Sequence, residues 1–183
     1  MKTKHLSSQE LIHITPMNTY TKEGTIKGEL VVDGDLILTG NLIVEKGIDV
    51  KGSIDCAGYS IEAGYSIEAG YSIKASYSIE AGGSIKAGYS IEAGDFIKAG
   101  GSYGISAGLS ITAKTTISCG LNIYAGICTW REITDAEKTI TCSKLEKGNV
   151  AYGLLKETGI TPSLSGKEVS VTVDGKTYTA VIK

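Results

Sequence analysis

Residues 58–99 read GYSIEA, GYSIEA, GYSIKA, SYSIEA, GGSIKA, GYSIEA, GDFIKA, seven consecutive hexads with isoleucine at 61, 67, 73, 79, 85, 91 and 97. A short fixed period of this kind marks a solenoid, in which each repeat buries its apolar side only by stacking on its neighbours. Within a hexad, Ile and Ala stand two apart with Glu or Lys between them, which is the alternation of a short strand and not the spacing of a helix. The Ala-Gly or Ala-Ser step that closes each hexad supplies a small residue and a flexible corner. Every six residues therefore make one strand and one bend.

The charges set the number of hexads per coil. The residue after each isoleucine runs Glu62, Glu68, Lys74, Glu80, Lys86, Glu92, Lys98. Three hexads per coil stack residues 18 apart and pair Glu68 with Lys86, Lys74 with Glu92 and Glu80 with Lys98, leaving Glu62 over Glu80 as the one like pair. Two hexads per coil would make four of five pairs like-charged. Opposite charges on adjacent strands stabilise by roughly 0.2–1 kcal/mol a pair and like charges cost similarly. The expectation is an all-β, three-sided β-helix with about 18 residues per turn.

The period extends outward from these hexads. Leu30, Leu36, Leu42, Ile48 and Ile54 mark one inward slot, and Val32, Leu38, Val44, Val50 and Cys56 the slot two later. One extra residue between Ile54 and Ile61 predicts a small bulge. On the other side Ile105, Ile111, Ile117 and Ile123 continue six apart, after a step of eight from Ile97 that predicts a protrusion at residues 100–104, GGSYG. The sequence thus divides into an N-terminal cap over residues 1–23, a hexad-repeat solenoid over 24–128 and a small β-rich C-terminal cap or interaction unit over 129–183. The solenoid should hold about six coils and be roughly 28 Å long at the usual strand spacing. In the C-terminal unit, residues 139–155 read as two short strands around a Lys147-Gly148-Asn149 turn. The final stretch VSVTVDGKTYTAVIK reads as a β-hairpin turning at Asp174-Gly175.

Composition narrows the function classes. A formal charge of −2, spread as +2 over residues 1–22, −5 over 23–128 and +1 over 129–183, argues against strong nucleic-acid or membrane-surface binding; direct nucleic-acid contact stays open. The N-terminal stretch MKTKHLSSQELIHITPMNTYTKEG has no apolar run of signal-peptide or membrane-span length, and the expected location is cytoplasmic. Of the four cysteines, Cys56 and Cys119 take inward slots of the repeat as small apolar residues. Cys128 and Cys142 match no zinc spacing. No metal and no cofactor are expected.

The candidate binding residues are aromatic: Tyr59, Tyr65, Tyr71, Tyr77, Tyr89, Tyr103 and Trp130. The tyrosine slot of the hexad also accepts Gly83 and Asp95, which a sealed core would reject, so these side chains belong at corners, with Tyr59 over Tyr77 and Tyr71 over Tyr89. Such a ladder serves to hold turns together, or it forms an exposed stripe for a protein partner, since tyrosine is enriched at interface hot spots. The serines at 60, 66, 72, 78, 84 and 90 read as a hydrogen-bonded ladder rather than nucleophiles.

Three-sided hexad helices resemble the hexapeptide-repeat acyltransferases, but those use a histidine base in or beside the coils, and this chain has only His5 and His13. No dinucleotide, P-loop or nucleophile-elbow motif is present, and the threonine arrays of ice-binding solenoids are missing. No enzyme activity is expected. The text GELVVDGDLILTGNLIVEKGIDVKGSI within residues 24–54 resembles the bactofilins, polymer-forming cytoskeletal β-helices; that resemblance implies head-to-tail self-assembly and no cofactor. Near-identical hexads in a small rod are also similar in style to the anti-CRISPR inhibitors, which implies a host nuclease or nucleoprotein as partner. The C-terminal unit could equally serve homo-oligomerisation. A discrete protein-binding rod is favoured because folded caps would block polymerisation.

Overall fold

A computed structural model describes residues 25–159 throughout, together with the backbones of strands Leu11–Ile14, Asn18–Tyr20, Glu168–Val173 and Lys176–Val181. The chain winds as a parallel, three-sided β-solenoid of about seven turns. Its first side stacks Leu11–Ile14, Glu29–Val32, Ile48–Val50, Ile67–Ala69, Ile85–Ala87 and Ile105–Ala107. The second stacks Asn18–Tyr20, Leu36–Leu38, Ile54–Cys56, Ile73–Ala75, Ile91–Ala93, Ile111–Ala113, Thr139–Cys142 and Leu154–Glu157. The third stacks Thr25–Ile26, Leu42–Val44, Ile61–Ala63, Ile79–Ala81 and Ile97–Ala99. The long strand Thr116–Ala125 rounds a corner, pairing Ile117 with Ile97 on the third side and Ile123 with Ile105 on the first.

The register is the one that the charges dictate. Glu68 lies beside Lys86, Lys74 beside Glu92 and Glu80 beside Lys98, with Glu62 next to Glu80 as the like pair. Among these rungs the Glu80–Lys98 pair closes to an ion pair, at 2.5 Å. The repeat interval stretches to 19 where Leu42 meets Ile61 and to 20 where Ile85 meets Ile105. Both extra segments are taken up outside the strands. Gly58 adopts φ +86 in the first, and the Tyr103 amide donates to the Gly100 carbonyl across the second.

Each three-residue strand from Leu36 to Ala113 turns its first and third residues inward, so Ile61, Ile67, Ile73, Ile79, Ile85, Ile91 and Ile97 are fully buried with Ala63 to Ala99 beside them. Burying one such isoleucine is worth about 1.5–3 kcal/mol, and the stacking repeats that gain once per side. Between coils, isoleucine amides donate to carbonyls of the next coil, most of them serine, as from Ile67 to Ser84 at 2.9 Å, with Phe96 and Gly104 as the acceptors for Ile79 and Ile85. At the corners, the serine hydroxyls form ladders: Ser60 with Ser78, Ser66 with Ser84 and Ser72 with Ser90, at 3.1–3.3 Å.

The corner glycines are set by close approach. A Cβ at Gly94 would lie 2.0 Å from the Ser76 carbonyl oxygen, and one at Gly82 would lie 2.1 Å from that of Gly64. The one hexad that begins with serine sits over the Gly58 turn, where Ser76 Oγ accepts the Gly58 amide at 2.6 Å. The extra residue below makes room for that side chain.

Parallel strands lie on both sides of the 24–128 span. Leu11–Ile14 and Asn18–Tyr20, within the residues assigned to an N-terminal cap, pair in parallel with Glu29–Val32 and Leu36–Leu38 and so belong to the first coil. Beyond residue 128, Thr139–Cys142 stacks on Ile111–Ala113 and Leu154–Glu157 stacks on Thr139–Cys142. Lys147-Gly148-Asn149 is not a hairpin turn: Lys144–Tyr152 is one strand that follows Thr116–Ala125 in parallel around the corner. Gly148, at φ +120, sits where that register shifts and lies against Cys119. The final hairpin is present, with Glu168–Val173 antiparallel to Lys176–Val181; its expected Asp174-Gly175 turn lies outside the described residues, as do residues 1–10.

Candidate functional site

The hexad period places consecutive tyrosines on three different edges of the coil. Backbone bonds between coils assign them. Tyr59 and Tyr77 share the edge between the second and third sides, where the Tyr77 amide donates to the Tyr59 carbonyl. Tyr65 and Tyr103 lie on the edge between the third and first sides, with Gly83 intervening between them: the Gly83 amide donates to Tyr65 and the Gly100 amide to Gly83. Tyr71 and Tyr89 lie on the edge between the first and second, where Tyr89 donates to Tyr71 and Leu109 to Tyr89. All of these tyrosines are exposed, so they form no single stripe around the rod.

One edge gathers its rings into contact. Tyr71 and Tyr89 stack with centroids 5.3 Å apart and planes 20° from parallel, and Trp130 continues the column against Tyr89 at 5.3 Å and 54°. Such contacts contribute about 0.5–1.5 kcal/mol beyond area burial. Tyr59 and Tyr77 make no ring contact among the described residues, although the 18-residue spacing predicts one.

Trp130 reaches this edge from an insertion. Ile111 pairs with Ile140, so the interval between stacked residues grows to 29 and residues 126–138 leave the coil as a loop. Gly126, at φ +85, starts that loop, and its amide donates to the Leu109 carbonyl at 2.9 Å. The Cys128 amide then donates to the Gly108 carbonyl at 3.0 Å. Gly108 forms the seat: a Cβ there would come within 3.1 Å of the indole. The same Cβ would lie 1.9 Å from the Gly88 carbonyl oxygen, so the coil spacing itself demands glycine here and the indole uses the space that glycine leaves.

The far half of the loop is held by charge. Arg131 Nη2 and Nη1 both donate to the Glu137 carboxylate, at 2.5 and 3.2 Å, and the Thr134 amide donates to it at 3.0 Å. The Arg131 bond, with the Thr134 amide second, lowers the Glu137 pKa to about 2. Lys138 pairs with Asp135 at 2.8 Å, and residues 136–138 form one short 3-10 turn before the coil resumes.

The remaining chemistry is subdued. Cys56, Cys119 and Cys142 are buried thiols whose pKa values burial pushes up, that of Cys56 to about 11. Among the described residues no group of three His, Cys, Asp or Glu could hold a metal ion, and no helix is long and apolar enough to cross a membrane. A shallow groove of about 430 Å³ beside Tyr65 is lined by Glu29, Lys46, Asp49 and Glu68, with Asp49 already paired to Lys51 at 2.8 Å.

Fold and geometry together define the class as a parallel β-solenoid. Compared with protein-family models, with curated proteins and with solved structures, the chain matches none. Sequence reasoning picks out each ring of the aromatic column and the stacking of Tyr71 on Tyr89, but not the contact of Trp130 with Tyr89. Its remaining signal was the lapse of the six-residue period after Ile123, which marks residues 126–138 as an addition to the coil.

Proposed function

We propose that this chain is a non-enzymatic binding protein whose rigid rod meets a protein partner along the Tyr71–Tyr89–Trp130 edge. The observation that carries this is the contiguity of three exposed rings, at 50%, 38% and 54% exposure, in ring-to-ring contact on one corner of the coil. Tyrosine and tryptophan are the side chains that concentrate binding energy at protein interfaces, together with arginine, and Arg131 follows Trp130 directly. The stacked rings spend little conformational freedom on binding, because each is already fixed by its neighbour. The lack of catalytic motifs in the sequence supports the non-enzymatic reading.

The similarity in style to anti-CRISPR inhibitors names a host defence nuclease as the first partner to try. Mimicry of DNA is disfavoured, since it needs rows of carboxylates and the ladder here alternates in sign. The test is capture of purified host nucleases by the rod. Tyr71→Ser with Tyr89→Ser and Trp130→Ser should abolish capture, whereas Tyr65→Ser with Tyr77→Ser should not. Equal capture by both variants would remove the edge from the account.

A second reading, self-assembly of the bactofilin kind, draws on a different observation. The coil runs in parallel register into the strand Leu154–Glu157, where Leu154 and Leu155 are exposed, and exposed apolar residues at a coil end support end-to-end stacking. Filaments growing with concentration in full-length protein would support that reading over the first.

A further inference from the structure

The last coil carries an apolar triangle. Leu145 registers on Ile117, Val150 on Ile123 and Leu155 on Ile140, one contact on each side of the rod. The three isoleucines are fully buried. The residues above them are not: Leu145 and Val150 are only partly buried, and Leu155 is 42% exposed although it occupies an inward slot. Leu154 and Tyr152 are exposed beside it. A solenoid end of this kind leaves core side chains and a strand edge without cover.

The chain continues past this end into a second element with the opposite deficit. In the hairpin, Val171 stands opposite Tyr178 and Val169 opposite Ala180. By the two-residue alternation of strands, Val169, Val171, Val173, Tyr178 and Ala180 share one face with Lys176, which stands opposite Val173 at the turn end. The other face takes Glu168, Ser170, Thr172, Thr177 and Thr179, with Val181 as its one apolar residue. A two-stranded hairpin is marginal on its own and needs a surface for its apolar face.

We propose that residues 168–181 close the C-terminal end of the solenoid, laying the Val169–Val171–Tyr178 face on Leu145, Val150 and Leu155. The tether fits. Residues 160–167 can span roughly 26–29 Å, more than the 20 Å or so that six residues of one coil side can reach. A short tether also holds the hairpin at an effective concentration in the millimolar range, which favours it over a second copy of the chain at ordinary concentrations. The cap is thus a late, separable element, and the coil's own last strands are what it covers. This inference does not depend on the aromatic edge.

Hydrogen exchange on the full-length chain tests it. Val171→Asp combined with Tyr178→Asp should speed exchange of amides in Leu154–Glu157 and Lys144–Tyr152 by tenfold or more, while Ile73–Ala75 stays unchanged. Reciprocally, Leu155→Asp should speed exchange in Glu168–Val173 and Lys176–Val181 by a similar factor. Unchanged exchange in the last coil of the hairpin variant, or in the hairpin of the Leu155 variant, would overturn the proposal. So would last-coil protection that rises with protein concentration alongside the scattering mass, because the cover would then be a second copy.

Discussion

Trp130 packs its indole on Tyr89 with ring centroids 5.3 Å apart, across an insertion that the hexad period does not contain. As the sole tryptophan in the chain, it reports on that contact directly. Tyr89→Ser should expose the indole and shift its emission to the red. Tyr77→Ser, on a different edge, should leave the spectrum unchanged. Identical spectra for the two variants would mean that the ring column does not persist in solution.

The loop that delivers Trp130 should loosen in acid. The folded-state pKa of Glu137 is about 2, below its usual 4.5, because Arg131 and the Thr134 amide hold the carboxylate. A depressed carboxyl pKa adds stability that is complete above the unfolded value and is lost as pH falls through the folded one. Between pH 4.5 and 2 the indole emission should therefore shift as the loop releases. Glu137→Gln should give a loop that is already loosened at neutral pH and flat across that window. A wild-type response equal to that of the variant would dissociate Glu137 from the loop.

Corner glycines divide by what lies below them. At Gly94 a methyl group would meet the Ser76 carbonyl oxygen at 2.0 Å, while at Gly101 it would meet nothing within 4 Å. Gly94→Ala should lower stability in denaturant by about 1–3 kcal/mol, the usual range for forced backbone shifts in a packed structure. Gly101→Ala should be neutral or add up to about 1 kcal/mol by restricting the unfolded chain. Equal effects at the two sites would contradict the coil spacing.

The one like-charged rung can be repaired. Glu62 lies beside Glu80, which Lys98 holds from the other side. Glu62→Lys should stabilise the rod by roughly 0.2–1 kcal/mol at low salt, an increment that fades at about 1 M salt, where the screening length is about 3 Å. A gain that salt leaves intact would point to packing instead of charge.

The coil was legible because its information is local and repeated. Ile and Ala two apart give the strand, and the signs of Glu68, Lys74, Lys86 and Glu92 give the 18-residue register. The ends were less legible for a physical reason. After Ala125 the loop over residues 126–138 breaks the period, and the coil resumes with Leu145, Val150 and Leu155 five apart rather than six. Gly148 then imitates a hairpin turn, because rounding a solenoid corner and reversing a strand can both call for a left-handed residue. The aromatic column was half legible: a fixed spacing predicts Tyr71 over Tyr89, whereas the seat that Gly108 provides for Trp130 depends on a contact between segments with no shared period.

The arrangement of the coil and its aromatic edge is tested most directly by proton–proton contacts in full-length protein with labelled isoleucine methyl groups. The expected result is cross-peaks from Ile91 to Ile73 and Ile111, with ring contacts from Tyr89 to both Tyr71 and Trp130. A two-sided coil would instead stack Ile91 on Ile79, two hexads away. Finding that cross-peak in place of the one to Ile73, with Tyr89 contacting neither ring, would contradict the account.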